Sequence, residues 1–125
     1  MYEQAKDLYY QEKYEEALPI IENSLSLNLR STNSWNLTCL ILMNLGRDQE
    51  ALIAYNKSID LKPTNNIAYN NMGLAYKHLG QYDEAIDAFD SAIRISPTYT
   101  TAYYNKGNLQ MQIGDFQGAI KSLDS

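Results

Sequence analysis

The sequence predicts an all-α solenoid of about three and a half repeats, built from eight short antiparallel helices. The first observation is a register of 34 residues that links Trp35, Tyr69 and Tyr103. The same step links Gly46, Gly80 and Gly114, then Ala17, Ala51, Ala85 and Ala119, then Ile21, Tyr55, Phe89 and Leu123, and finally Pro63 and Pro97. The second is helical spacing inside one copy. Tyr69, Met72, Gly73 and Tyr76 share one helix face, and Ala85, Phe89, Ala92 and Ile93 share another. The third is punctuation: Gly80 supplies the left-handed residue that ends a helix, and Pro97 prevents the second helix from continuing. Each helix is too short and too one-sided to be stable alone, so the helices must pack on one another.

Taken in order, the first unit covers residues 1–31 and starts at the position that Trp35 holds in the next copy, so its first helix is short. Ala5 and Leu8 are expected to face Tyr14, Ala17, Ile21 and Leu25. Glu12 stands where later copies have glycine, and Leu29 replaces the closing proline. Pro19 falls inside the second helix, where a bend or a loosened first turn is expected because proline removes an amide donor and its ring clashes with the preceding turn. This stretch is also the most acidic, with Glu3, Asp7, Glu12, Glu15, Glu16 and Glu22 against Lys6, Lys13 and Arg30.

The second unit, 32–65, carries Trp35 on its first helix and Ala51, Tyr55, Ser58 and Ile59 on its second, with Asp48 placed to cap that helix. Cys39 takes the small-residue site of Gly73 and Gly107 and is expected to be a packed thiol. The third unit, 66–99, is the clearest copy. The fourth, 100–125, ends inside its second helix, which should leave Ile120 and Leu123 partly exposed. The chain is therefore expected to be a single repeat domain within a longer array, or one that covers this end by self-association.

Composition narrows the functions. A net charge of −5 argues against a nucleic-acid binder, which needs a basic stripe to displace counterions from phosphates. Eleven Tyr against two Phe fit many shallow, half-wet interfaces better than one deep core. A single cysteine excludes an intrachain disulfide and fits a reducing, intracellular compartment. The longest apolar run, residues 39–43, is too short to cross a bilayer, and the amino terminus lacks the basic-then-apolar order of a signal peptide. No membrane association is expected. His78 is the sole histidine, and the carboxylates recur at second-helix starts, where negative charge suits the helix dipole. No catalytic set, metal site or cofactor loop emerges, so a non-enzymatic role without cofactors is expected.

With these residues in place, the sequence resembles the tetratricopeptide repeat (TPR) family, whose signature of an aromatic, a small residue, an aromatic, Ala, an aromatic and Pro is present as Tyr69, Gly73, Tyr76, Ala85, Phe89 and Pro97. The resemblance implies a right-handed superhelix with a concave groove lined by one face of each first helix. Carried onto this chain, it places Asn36, Leu37 and Leu40, then Asn70, Asn71, Leu74 and Lys77, then Tyr104, Asn105, Asn108 and Met111 on the groove, with Tyr2, Lys6 and Tyr9 joining from the first unit.

Asparagine offers both a donor and an acceptor, so Asn71 and Asn105 either solvate the helix face or hydrogen-bond successive peptide groups of a bound chain; the second role is the one expected here. Family members that grip a terminal carboxylate use Lys and Arg at groove positions. The matching sites here are Asn33, Asn36, Ile67 and Asn105, so such a clamp is not expected. The expected function is a protein–protein interaction scaffold that holds a peptide in the groove. The alternatives are a structural, self-associating element that forms homo-oligomers through open array ends, and the targeting arm of an enzyme outside these residues.

Overall fold

The structure is a computed structural model that describes residues 1–28 and 30–123, with the side chains of 116, 117 and 119 outside the description. Leu29, which replaces the closing proline, therefore lies outside the described residues, as does the Ala119 side chain. The described residues form eight helices: α1 (Tyr2–Tyr10), α2 (Tyr14–Leu27), α3 (Thr32–Asn44), α4 (Asp48–Leu61), α5 (Asn66–His78), α6 (Tyr82–Ile95), α7 (Thr100–Gln112) and α8 (Phe116–Leu123). They fall into two compact units, Met1–Pro63 and Thr64–Ser125, each holding two helix pairs.

The same turn closes every pair. Glu12, Gly46, Gly80 and Gly114 all have positive φ, at 61°, 77°, 77° and 89°. The following amide reaches back five residues, as in Arg47 N–H to the Leu42 carbonyl at 2.8 Å and Gln81 N–H to Tyr76 at 2.9 Å. This is the Schellman arrangement, which satisfies carbonyls that the helix end would otherwise leave bare. Glu12 holds the left-handed conformation without being glycine, so its Cβ crowds the backbone there. Glu12→Gly should accordingly raise stability by about 1 kcal/mol, read as a shifted urea midpoint with an unchanged slope.

Two local expectations need correcting or refining. Asp48 does not occupy the N-cap of α4; Arg47 does, without a side-chain cap bond, because the turn register after Gly46 makes Asp48 the first helical residue. Its charge, with that of Glu50, lies in the first turn and acts on the helix dipole. Pro19 sits inside α2, which runs from Tyr14 to Leu27 through it. Pro19 and Glu15 are both exposed, so solvent reaches the turn that lacks an amide donor.

In the first unit the core is built from Ala5, Ala17, Ile21, Ile41, Ala51 and Tyr55, each at most 1% exposed. In the second, Ala85, Phe89 and Leu109 form a buried cluster with Leu74, Tyr76, Tyr82 and Ile86 packed against it. Gly73 is what lets α5 approach that ring: a Cβ there would lie 2.5 Å from Phe89 Cε1 and 2.7 Å from Cδ1. Cys39 fills the same repeat position in the first unit and is fully buried. Burial drives its thiol pKa well above the ordinary value, as expected for a packed, unreactive cysteine. At the carboxyl end Ile120 is 62% and Leu123 41% exposed, in agreement with the expectation from the repeat pattern.

Candidate functional site

Within each unit the first helices of the two pairs lie beside each other, α1 with α3 and α5 with α7. In the first unit Tyr2, Lys6, Tyr9, Tyr10, Asn33 and Leu40 line a hollow of about 210 Å³ together with Asn36 and Leu37. Leu37 is only 5% exposed and serves mainly as core. Asn36 is tied to its own pair, since its Oδ1 accepts a hydrogen bond from Ser58 Oγ on α4 at 2.5 Å. The Tyr9 hydroxyl has a raised pKa, chiefly because partial burial disfavours the phenolate.

In the second unit the amides divide into two groups. Asn70 is 3% exposed, and its Oδ1 accepts from Asn105 Nδ2 at 3.0 Å. The physical reason is visible one repeat away: Ser58, which donates to Asn36, is replaced by Ala92, so α6 offers Asn70 no hydroxyl and α7 supplies the donor. Asn105→Ala would leave the buried Asn70 oxygen without that donor and should cost about 1–3 kcal/mol in a urea titration. Asn71, Leu74, Lys77 and Asn108 are half-buried on the same face, while Tyr104 and Met111 are 59% and 50% exposed. Leu74 also touches the core cluster, so part of its surface is already used in packing. Neighbouring Lys106 pairs with Asp90 on α6 at 2.6 Å.

One pair of polar residues went unforeseen. Gln110 and Ser122 are 7% and 6% exposed, and Ser122 Oγ donates to Gln110 Oε1 at 2.7 Å, joining α7 to α8. They stand in the positions of Tyr76 and Ala88, or Leu42 and Ala54, in the earlier copies. The only signal available was that both positions turn polar together.

Among the described residues no group of three or more His, Cys, Asp or Glu could hold a metal ion. His78 is exposed in the last turn of α5. Among the same residues, no helix is long and apolar enough to cross a membrane.

Antiparallel helix pairs on a 34-residue register, closed by identical turns, define a helical-repeat protein. The chain belongs to the tetratricopeptide repeat family: models described as tetratricopeptide repeat match residues 67–99 and 100–124, and a third, described as TPR repeat, matches 40–80. Among solved structures the fold is similar to MamA, with a TM-score of 0.91 at 23% identity over 96% of this chain and 70% of that one. It is also similar to MamA 41-end from Desulfovibrio magneticus RS-1, with a TM-score of 0.92 at 20% identity over 98% and 70%. The first TPR of Spaghetti (RPAP3), solved bound to the HSP90 peptide SRMEEVD, superposes with a TM-score of 0.84 at 17% identity over 89% and 88%. No curated protein sequence matches the chain.

Proposed function

We propose that this chain is a protein-interaction scaffold whose first-helix faces hold an extended segment of a partner protein. The observation that carries this is the face of α5 and α7, where exposed Tyr104 and Met111 stand beside the half-buried amides of Asn71 and Asn108. Amides of this kind accept from and donate to peptide groups, while the ring and the thioether cover apolar side chains. The repeat domain of Spaghetti was solved with a peptide bound, which supports peptide capture by this fold. Here Asn33, Asn36, Ile67 and Asn105 occupy the positions where a carboxylate clamp would need cations, so the segment is read along its backbone and not by its terminus.

Asn36, Asn70 and Asn105 already hydrogen-bond within the chain, which supports a division of roles in this reading: they position the helices, and Asn71 and Asn108 are the amides assigned to the ligand. The double change Asn71→Ala with Asn108→Ala should weaken capture of a partner from cell extract about tenfold, with unchanged circular dichroism, since each amide hydrogen bond contributes about 0.5–1.5 kcal/mol. Equal capture by the variant and the parent would remove the proposal.

A second reading is favoured by Ile113, Ile120 and Leu123, which are 41%, 62% and 41% exposed. These residues suit self-association through the last pair. Light scattering over a concentration series decides it, since a constant monomer mass rules it out.

A further inference from the structure

On the second-helix side of the first unit lies a surface that peptide binding by the first helices does not use. Its main hollow has a volume of about 460 Å³, with Leu18 and Leu25 from α2, Trp35 and Leu42 from α3, and Ile53 and Ala54 from α4 in its walls. A second hollow, of about 290 Å³, shares Leu18 and Arg47 with it, and a third, of about 350 Å³, shares Glu15 and Leu45 with the second. The three adjoin along α2 and the α3–α4 turn. The residue of note is Ile53, 64% exposed at the rim, in a position that the other copies fill with Pro19, Asp87 and Lys121. The equivalent hollow of the third copy is about 250 Å³ and has Asp87, Glu84 and Ser91 in its walls. The apolar rim is therefore a property of this unit and not of the repeat.

The charge around it is one-sided. Glu12, Glu15, Glu16, Glu22 and Glu50 line the three hollows, against Lys13 and Arg47. Arg47 is already held by Glu50, through Nε to Oε1 at 3.0 Å and Nη2 to Oε2. An apolar trough edged by exposed carboxylates complements a segment with apolar anchors flanked by cations, which bury the anchor and place positive charge over the rim.

We infer that the α2–α4 side of the first unit is a second docking surface, and that its occupant is a basic amphipathic segment of a partner protein. An aliphatic or aromatic anchor enters between Leu18, Trp35 and Ile53, and flanking Lys or Arg residues face Glu15 and Glu22.

The test uses a fluorescein-labelled amphipathic helical peptide of Leu and Lys, and its counterpart with Glu in place of every Lys, titrated by anisotropy against the full chain. The Lys peptide should bind at least tenfold tighter than the Glu peptide. Ile53→Ser should weaken it about tenfold, and Glu15→Gln with Glu22→Gln should weaken it and flatten its salt dependence. All three residues are exposed, so the variants keep the fold, and Tyr104→Ala should leave this affinity unchanged. Equal binding of the two peptides, or no effect of Ile53→Ser, would overturn the inference. A loss caused by Tyr104→Ala in its place would also overturn it and move the peptide to the first-helix face.

Discussion

Replacing Phe89 by Ala should lower the stability of the second unit by about 3–5 kcal/mol, a large share of what a domain of this size has to lose. The ring is fully buried beside Ala85 and Leu109, with Leu74, Tyr76, Tyr82 and Ile86 around it, so its removal leaves a cavity that fixed helices can only partly close. The neighbouring Gly73 sharpens the test. A methyl group there meets the edge of the Phe89 ring at 2.5 Å, and that ring cannot retreat into solvent. Gly73→Ala should therefore cost about 1–3 kcal/mol, although Ala is the better helix former. In a Phe89→Leu background the ring edge is gone and the penalty should shrink. Urea titrations of the four proteins give the coupling directly. A stabilising Gly73→Ala in the parent chain would contradict the packing described for α5 and α6.

Tyr104→Ala should weaken binding of a captured partner by about 2 kcal/mol, roughly thirtyfold, while costing little stability. The difference between the two effects follows from exposure. Tyr104 is 59% exposed and contributes little to folding, yet it stands on α7 with Asn108 and Met111 and presents an aromatic ring on that face. Aromatic rings at the centre of an interface lose few rotamers on binding and exclude water from neighbouring amides. Lys77, at the end of α5, should matter far less. An affinity unchanged by Tyr104→Ala, with an intact melting curve, would place the contact elsewhere.

Much of the fold was legible because the repeat states each decision several times. The turn residue, the buried Ala at 17, 51 and 85, and the aromatic at 55 and 89 recur in register, so helix pairing and the close approach at Gly73 could be read without coordinates. The site was only partly legible. Asn70 and Asn71 are adjacent and chemically identical, and the partner that Asn70 takes, Asn105 on α7 where Asn36 takes Ser58 on α4, depends on residues of other helices. The Gln110–Ser122 bond was hidden for the same reason, because it needs two substitutions on separate helices to be read as one. The trough beside α2 takes walls from three helices, and although Ile53 breaks a register that holds Pro19, Asp87 and Lys121 elsewhere, that it stands exposed beside those walls needs the structure.

The most direct test is amide chemical-shift mapping of the isotope-labelled chain, titrated with a segment captured by the parent protein. Binding on the first-helix face should produce its largest shifts at Asn71, Tyr104, Asn108 and Met111, with the Phe89 amide little changed. Shifts confined to α6 and α8, with Tyr104 and Asn108 unmoved, would contradict it.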